Sequence, residues 1–170
     1  MPRYMSVLED VLAVGLRLVI CGSAASSASA RAGAYYAGPQ NRFWATLAEV
    51  GLTADQWSPH QFRELLLLGI GLTDIAKSQF GNDDAIQVLA SDRDALHDRI
   101  MRYQPAILCF NGKRPAQQYL QRRPVSLGLQ PTFVGRTRLF VAPSTSAAAR
   151  GHWDLAPWRD LAQLVRQVPA

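Results

Sequence analysis

Two stretches of this sequence concentrate groups able to do chemistry. The first, Gly22-Ser23-Ala24-Ala25-Ser26-Ser27-Ala28-Ser29-Ala30, is built almost wholly of tiny residues. Such side chains let a ligand approach the backbone, whose amides can donate to anionic or carbonyl oxygens. The glycine spacing of a dinucleotide fingerprint is absent, and no Gly-Lys-Ser/Thr follows as a Walker loop requires. In the second, Phe110-Asn111-Gly112-Lys113-Arg114, the amides opening a helix could hold a phosphate beside Lys113, or the segment is a plain strand-to-helix turn. Cys21 and Cys109 are too few for a four-cysteine zinc or iron–sulfur site or a disulfide-stapled secreted scaffold. Both end apolar runs, where buried thiols are expected.

These stretches must be positioned by the elements around them. Short apolar runs at Leu16 to Cys21, Leu68 to Thr73, Ala106 to Phe110 and Arg138 to Ala142 suit strands buried on both faces. Helical patterns lie between and after them: Asn41 to Val50; Pro59 to Leu68 after the cap Ser58; Asp92 to Tyr103 after the cap Ser91; Arg114 to Arg122; and Pro157 to Val168. The alternation predicts an α/β fold of three layers, α/β/α, with a central parallel sheet of about four strands. In such a sheet the working residues sit on loops leaving the carboxyl ends of the strands. At 170 residues, with 48% hydrophobic residues, the chain is expected to form a single domain over 1–170. The two cysteines suit a reduced cytoplasmic protein, and no apolar run reaches the roughly 18 residues of a membrane span, so no membrane partner is expected. The net charge of +5 comes from 18 Lys+Arg, of which only Lys77 and Lys113 are lysine. Arginine suits forked contacts to phosphate, which favours nucleic acid, although a GC-rich genome would enrich arginine equally well.

The segment Gly33-Ala34-Tyr35-Tyr36-Ala37-Gly38-Pro39-Gln40-Asn41-Arg42-Phe43-Trp44, following the small-residue loop, supplies a family pattern. A second motif, Val141-Ala142-Pro143-Ser144-Thr145-Ser146-Ala147-Ala148-Ala149-Arg150, follows the last apolar run. Together they resemble the mismatch-specific uracil/thymine-DNA glycosylases and the hypoxanthine-DNA glycosylase branch of the uracil-DNA glycosylase superfamily. The resemblance implies a monofunctional glycosylase that flips uracil out of DNA and hydrolyses its N-glycosidic bond. It implies no metal and no organic cofactor. The expected partner is uracil-containing DNA, single or double stranded, and the expected state is a monomer.

Such an enzyme needs four parts. The resemblance makes Tyr36 the aromatic that replaces lost stacking. Gly22, Ser23 and Ser144 would read the base and stabilise charge on the departing ring, with Asn111 at the same pocket. Ser146, Ala147, Ala148 and Arg150 would form the wedge that fills the gap in the duplex, with His152 and Lys113 as further DNA contacts. The fourth part, a group to orient water, is the point of departure: relatives carry Asp or Asn where this chain has Ala24, and His or Asn where it has Ser144. Three residues could substitute. Asp74 stands where iron–sulfur members carry an asparagine that reads uracil. Asn41 matches the catalytic asparagine of the hypoxanthine branch, but in the mismatch-specific branch the same residue is a structural helix opener. His152 could contact phosphate or base. Hypoxanthine or mismatched thymine as substrate, a lesion-binding or abasic-site-binding protein with weak turnover, and attack by Lys77 or Lys113 to make a lyase are the alternatives. A small α/β hydrolase for a phosphorylated metabolite would explain the arginines but not the paired motifs.

Overall fold

The computed structural model describes residues 5–169, apart from the side chains of Arg150 and His152. Five strands form one sheet: β1 (Leu18–Gly22), β2 (Ile70–Asp74), β3 (Ile107–Asn111), β4 (Gly128–Val134) and β5 (Thr137–Ala142), in the order β2-β1-β3-β5-β4. The four apolar runs are the four mutually parallel strands. The fifth, β4, runs antiparallel to β5 at the sheet edge and is joined to it through Gly135 and Arg136. It alternates exposed and buried positions, and its pairing shifts register between Leu129 and Phe133, around Pro131. Such half-solvated edge strands lack the continuous apolarity by which the other four are recognised.

Because successive strand residues point to opposite faces, the sheet feeds two cores. Leu18, Ile20, Leu72, Cys109 and Phe140 face one layer, packing with Phe43 and Leu47 of α2 (Phe43–Glu49), Phe62 and Leu65 of the 3-10 helix Pro59–Leu68, and Trp158 and Leu161 of α5 (Ala156–Arg166). Val19, Cys21, Leu108, Phe110 and Val141 face the other. They meet Leu96 and Ile100 of α3 (Ala90–Tyr103) and Ala116 of α4 (Lys113–Leu120). Both cysteines are free and buried. No helix among the described residues is long and apolar enough to cross a membrane.

Three local details differ from the sequence reading. The small-residue run is not all loop: Ser27–Ala32 forms α1, capped by Ser26, whose hydroxyl accepts from the Ser29 amide at 3.1 Å. Helix α3 is capped by Asp92, which accepts from the Leu89 amide at 2.9 Å, and begins before Ser91. The stretch Pro59–Leu68 is a 3-10 helix, with the Ser58 amide donating to Gln61 Oε1 at 2.9 Å.

The chain leaves β1 toward β2 on one side and later returns to β3 on the other, so the order reverses beside β1. In open sheets this is where a crevice forms outside the carboxyl ends of the strands. Register brings Gly22 level with Asp74 and Asn111 level with Ala142 at that end.

Candidate active site

A cleft of about 600 Å³ opens over these strand ends, lined by the loops after β1, β2, β3 and β5. Gly22, Ser23, Ala24, Tyr36, Asn41, Asp74, Asn111, Ser144, Ser146 and Ala148 all line it. Lys113 is exposed, and neither it nor Ala147 belongs to the lining. The side chains of Arg150, expected in the wedge, and of His152 lie outside the described residues.

Asp74 lies at the floor, only 4% exposed. Burial raises its pKa from 3.8 to about 6, because a carboxylate loses hydration there. Lys77 and Arg99 pull it down, Asp10 pushes it up, and the Gly22 amide favours the charged form. Near neutral pH the cleft therefore holds a mostly ionised carboxylate poised to take a proton. Glycine at position 22 is what admits it: a Cβ there would lie 2.9 Å from Asp74 Oδ1 and 3.5 Å from Tyr36 Oη.

Tyr36 stands over this floor. Its backbone takes the left-handed conformation (φ 54°), and its ring stacks on buried Phe43 with centroids 4.0 Å apart. One ring face is thus backed by the core, which holds the aromatic rigid at the cleft wall. Its hydroxyl is buried, raised well above its ordinary pKa by burial and the Asp74 charge, and has no hydrogen-bond partner among the described residues. Asn111 lies beside it but out of bonding geometry. Removing an unpaired buried hydroxyl should cost the fold little, since no bond is lost. We expect Tyr36→Phe to keep or raise the unfolding temperature in a thermal melt. A clear fall in that temperature would mean that the hydroxyl is bonded within the fold.

Asn111 lines the cleft, and its amide group is also bonded within the protein. Its Nδ2 donates to Thr145 Oγ1 at 2.9 Å and its Oδ1 accepts from the Thr145 amide at 3.1 Å, so its amide group clamps β3 to the loop after β5. Thr145 in turn accepts from the Arg42 amide at 3.0 Å. The Arg42 guanidinium covers the Trp153 ring at 4.5 Å, and Trp158 Nε1 donates to the Pro143 carbonyl at 2.9 Å. The two sequence motifs are therefore one physical unit.

Asn41 accepts from the Phe43 amide at 2.9 Å, which is the work of a helix opener. Ser23 donates to Gln118 Oε1 at 2.6 Å, and Ser144 accepts from the Ser146 amide at 3.2 Å. Both hydroxyls thus shape loops. The Gly112 amide is taken up within the fold, donating to the Phe110 carbonyl at 3.0 Å, and a Cβ there would press on Ser144 at 3.1 Å. Lys77 sits outside the cleft lining, paired with Asp10 at 2.8 Å. Ala24 brings no polar side chain, which leaves Asp74 as the carboxylate on the cleft floor. Arg42 and Thr145 lie within the two motifs, but only the fold shows that they pair; Asp10 and Arg99 carry no motif of their own. Among the described residues no group of three or more His, Cys, Asp or Glu is placed to hold a metal ion.

Comparison with known proteins gives two findings. A family model described as the uracil DNA glycosylase superfamily matches residues 9–162. The fold is also similar to the solution NMR structure of a candidate uracil DNA glycosylase from Methanosarcina acetivorans. That match has a TM-score of 0.64 and 21% identity, and it covers 94% of this chain and 97% of the other.

Proposed function

The chain belongs to the uracil DNA glycosylase superfamily, and from that premise we propose that it is a monofunctional DNA glycosylase that excises uracil and leaves an abasic site, the opening step of base-excision repair. The observation that carries this reading is the ionisable Asp74, buried at the cleft floor beside Gly22 and the Tyr36 hydroxyl. A uracil swung out of the duplex would enter the cleft against Tyr36. As the bond from the sugar C1′ to the base nitrogen breaks, its electrons pass to the base and positive charge grows on the sugar. The Asp74 carboxylate, in a place largely dry, stabilises that charge and orients the water that Ala24 cannot hold. Water oxygen then bonds to C1′. Its released proton is taken by Asp74 and ends on the departing base, which leaves as neutral uracil.

Within the family, the bond from the Phe43 amide to Asn41 favours a mismatch-type site, in which this asparagine opens a helix, over one in which it performs the reaction. Thymine opposite guanine is therefore the second substrate we put forward, ahead of hypoxanthine. DNA binding through Ser146 to Arg150, Lys113 and His152, action as a monomer and a cytoplasmic location belong to the same proposal.

The test is single-turnover incubation with labelled oligonucleotides bearing uracil, hypoxanthine, or thymine opposite guanine, followed by alkali, with a parallel borohydride lane. Breaks on uracil only after alkali, with nothing trapped, are expected. Tight binding without breaks on any substrate would instead make the protein a lesion binder, and a trapped adduct would make it a lyase.

A further inference from the structure

Behind Asp74, on the side away from the cleft lining, lies a compact charge cluster assembled from three separate parts of the chain. Asp10 comes from the N-terminal segment, which pairs with β2 through Val11 and Leu72, each amide donating to the other's carbonyl at 2.9 Å. Lys77 comes from the turn after β2 and Arg99 from α3. Asp10 accepts from Thr73 Oγ1 at 2.6 Å, pairs with Lys77 Nζ at 2.8 Å and faces Arg99 Nε at 3.5 Å. Lys77 also donates to Tyr35 Oη at 3.1 Å, and Arg99 Nη2 donates to the backbone carbonyl of Asp74 at 2.8 Å.

The charge arithmetic of this group is lopsided. Two cations meet the single carboxylate of Asp10, which leaves one positive charge uncompensated until Asp74 ionises. A carboxylate buried alone would give up its charge, whereas a neighbouring cation of fixed position keeps it. We propose that Asp10, Lys77 and Arg99 are positioning residues for Asp74, the two cations holding its carboxylate ionised and Asp10 limiting how strongly they do so. The Arg99 bond to the Asp74 carbonyl adds a mechanical part, fixing the strand end from which the carboxylate projects.

The other titratable groups facing Asp74 are Tyr36 from the first motif, Tyr35 beside it and the Cys21 thiol of β1, all raised in pKa by burial and by Asp74 itself. None of them supplies positive charge. The balance rests with the cluster: Lys77 and Arg99 lower the pKa of Asp74 and Asp10 raises it.

This inference rests on Asp74 as the reacting carboxylate, but its test does not need turnover. The side-chain carboxyl of Asp74 can be titrated by carbon-13 NMR in the full-length protein, with the single-turnover rate on uracil DNA measured against pH alongside. Asp10→Asn keeps the hydrogen-bonding shape and should move the Asp74 midpoint down by about one pH unit. Lys77→Gln and Arg99→Gln should move it up by a similar amount, and Lys77→Arg, which restores the charge, should return it to the wild-type position. Shifts of opposite sign for the anion and the cations are the required outcome. Midpoints that stay put, or that move the same way in all variants, overturn the proposal. If one cation variant does not fold, the other and Asp10→Asn still decide the sign; if Asp10→Asn does not fold, midpoints that fail to rise in Lys77→Gln and Arg99→Gln still overturn the proposal. Wild-type protein that excises nothing would count against the proposed function alone, since the titration would still report the cluster.

Discussion

Asp74→Asn is expected to slow the single-turnover excision step by about 10²–10⁴-fold, the range associated with losing a positioned acid–base group, and at the same time to make the protein more stable at pH 7.5. The two effects share one cause. The folded-state pKa of Asp74, about 6, lies above its ordinary 3.8, so folding favours the protonated carboxyl. The stability this lends is complete below pH 3.8 and is lost as pH rises through 6. Above that, the buried charge costs the fold up to about 3 kcal/mol relative to a neutral group. Asparagine never charges, so the variant should unfold several degrees higher at pH 7.5 and lose this advantage near pH 4. In the wild-type protein the rate should climb as pH passes through about 6 and flatten above. In the variant this acid limb should vanish. Equal losses of DNA affinity and rate, with stability falling at both pH values, would remove Asp74 from the reaction.

Asn111→Ala should be the most damaging single change at the cleft wall. It deletes both bonds to Thr145 and leaves a fully buried amide and hydroxyl unpaired. Each stranded group costs about 1–3 kcal/mol. The loss should reach about 2–4 kcal/mol in denaturant melts. Freed from β3, the Ser144–Ser146 loop would no longer be held against the cleft, and misplacement of this kind can cost about 10²-fold in rate. Thr145→Ser, which keeps the acceptor, should be mild. Thr145→Val should resemble part of the Asn111 loss, and a double-mutant cycle between the two positions should return a coupling of about 1–2 kcal/mol. Additive effects would show that the clamp does not join the loops.

What the sequence disclosed, and what it hid, follows from the range of each signal. Buried parallel strands announce themselves as apolar runs, and all four were legible. Strand β4 was not, since Gly128-Leu129-Gln130-Pro131 offers neither a run nor an uninterrupted alternation. Helix α1 was hidden because serine and alanine carry no apolar stripe. Gly22 and Asp74 could be placed at the cleft because each ends a strand, and Tyr36 because the first motif resembles that of the family. The partners that define them could not. Asn111 and Thr145 are 34 residues apart and Thr73 and Asp10 are 63 apart, and no local pattern encodes such pairings. Asn111 is the instructive case: its position at a strand end was apparent, but its two bonds to Thr145 of the second motif were not.

The two margins of the sheet bear on how copies of the protein meet one another. An open strand edge invites a neighbour to add its own strand, the route to fibres and swapped assemblies. Here the β2 side is met by the N-terminal segment at Val11. On the far side, the outer edge of β4 is interrupted by Pro131, which brings no N–H, and bent by the register shift beside it. Exposed Leu129 and Phe133 on that strand would otherwise make a sticky ribbon. The interruption leaves this edge poorly suited to strand-by-strand growth, even where apolar side chains line it.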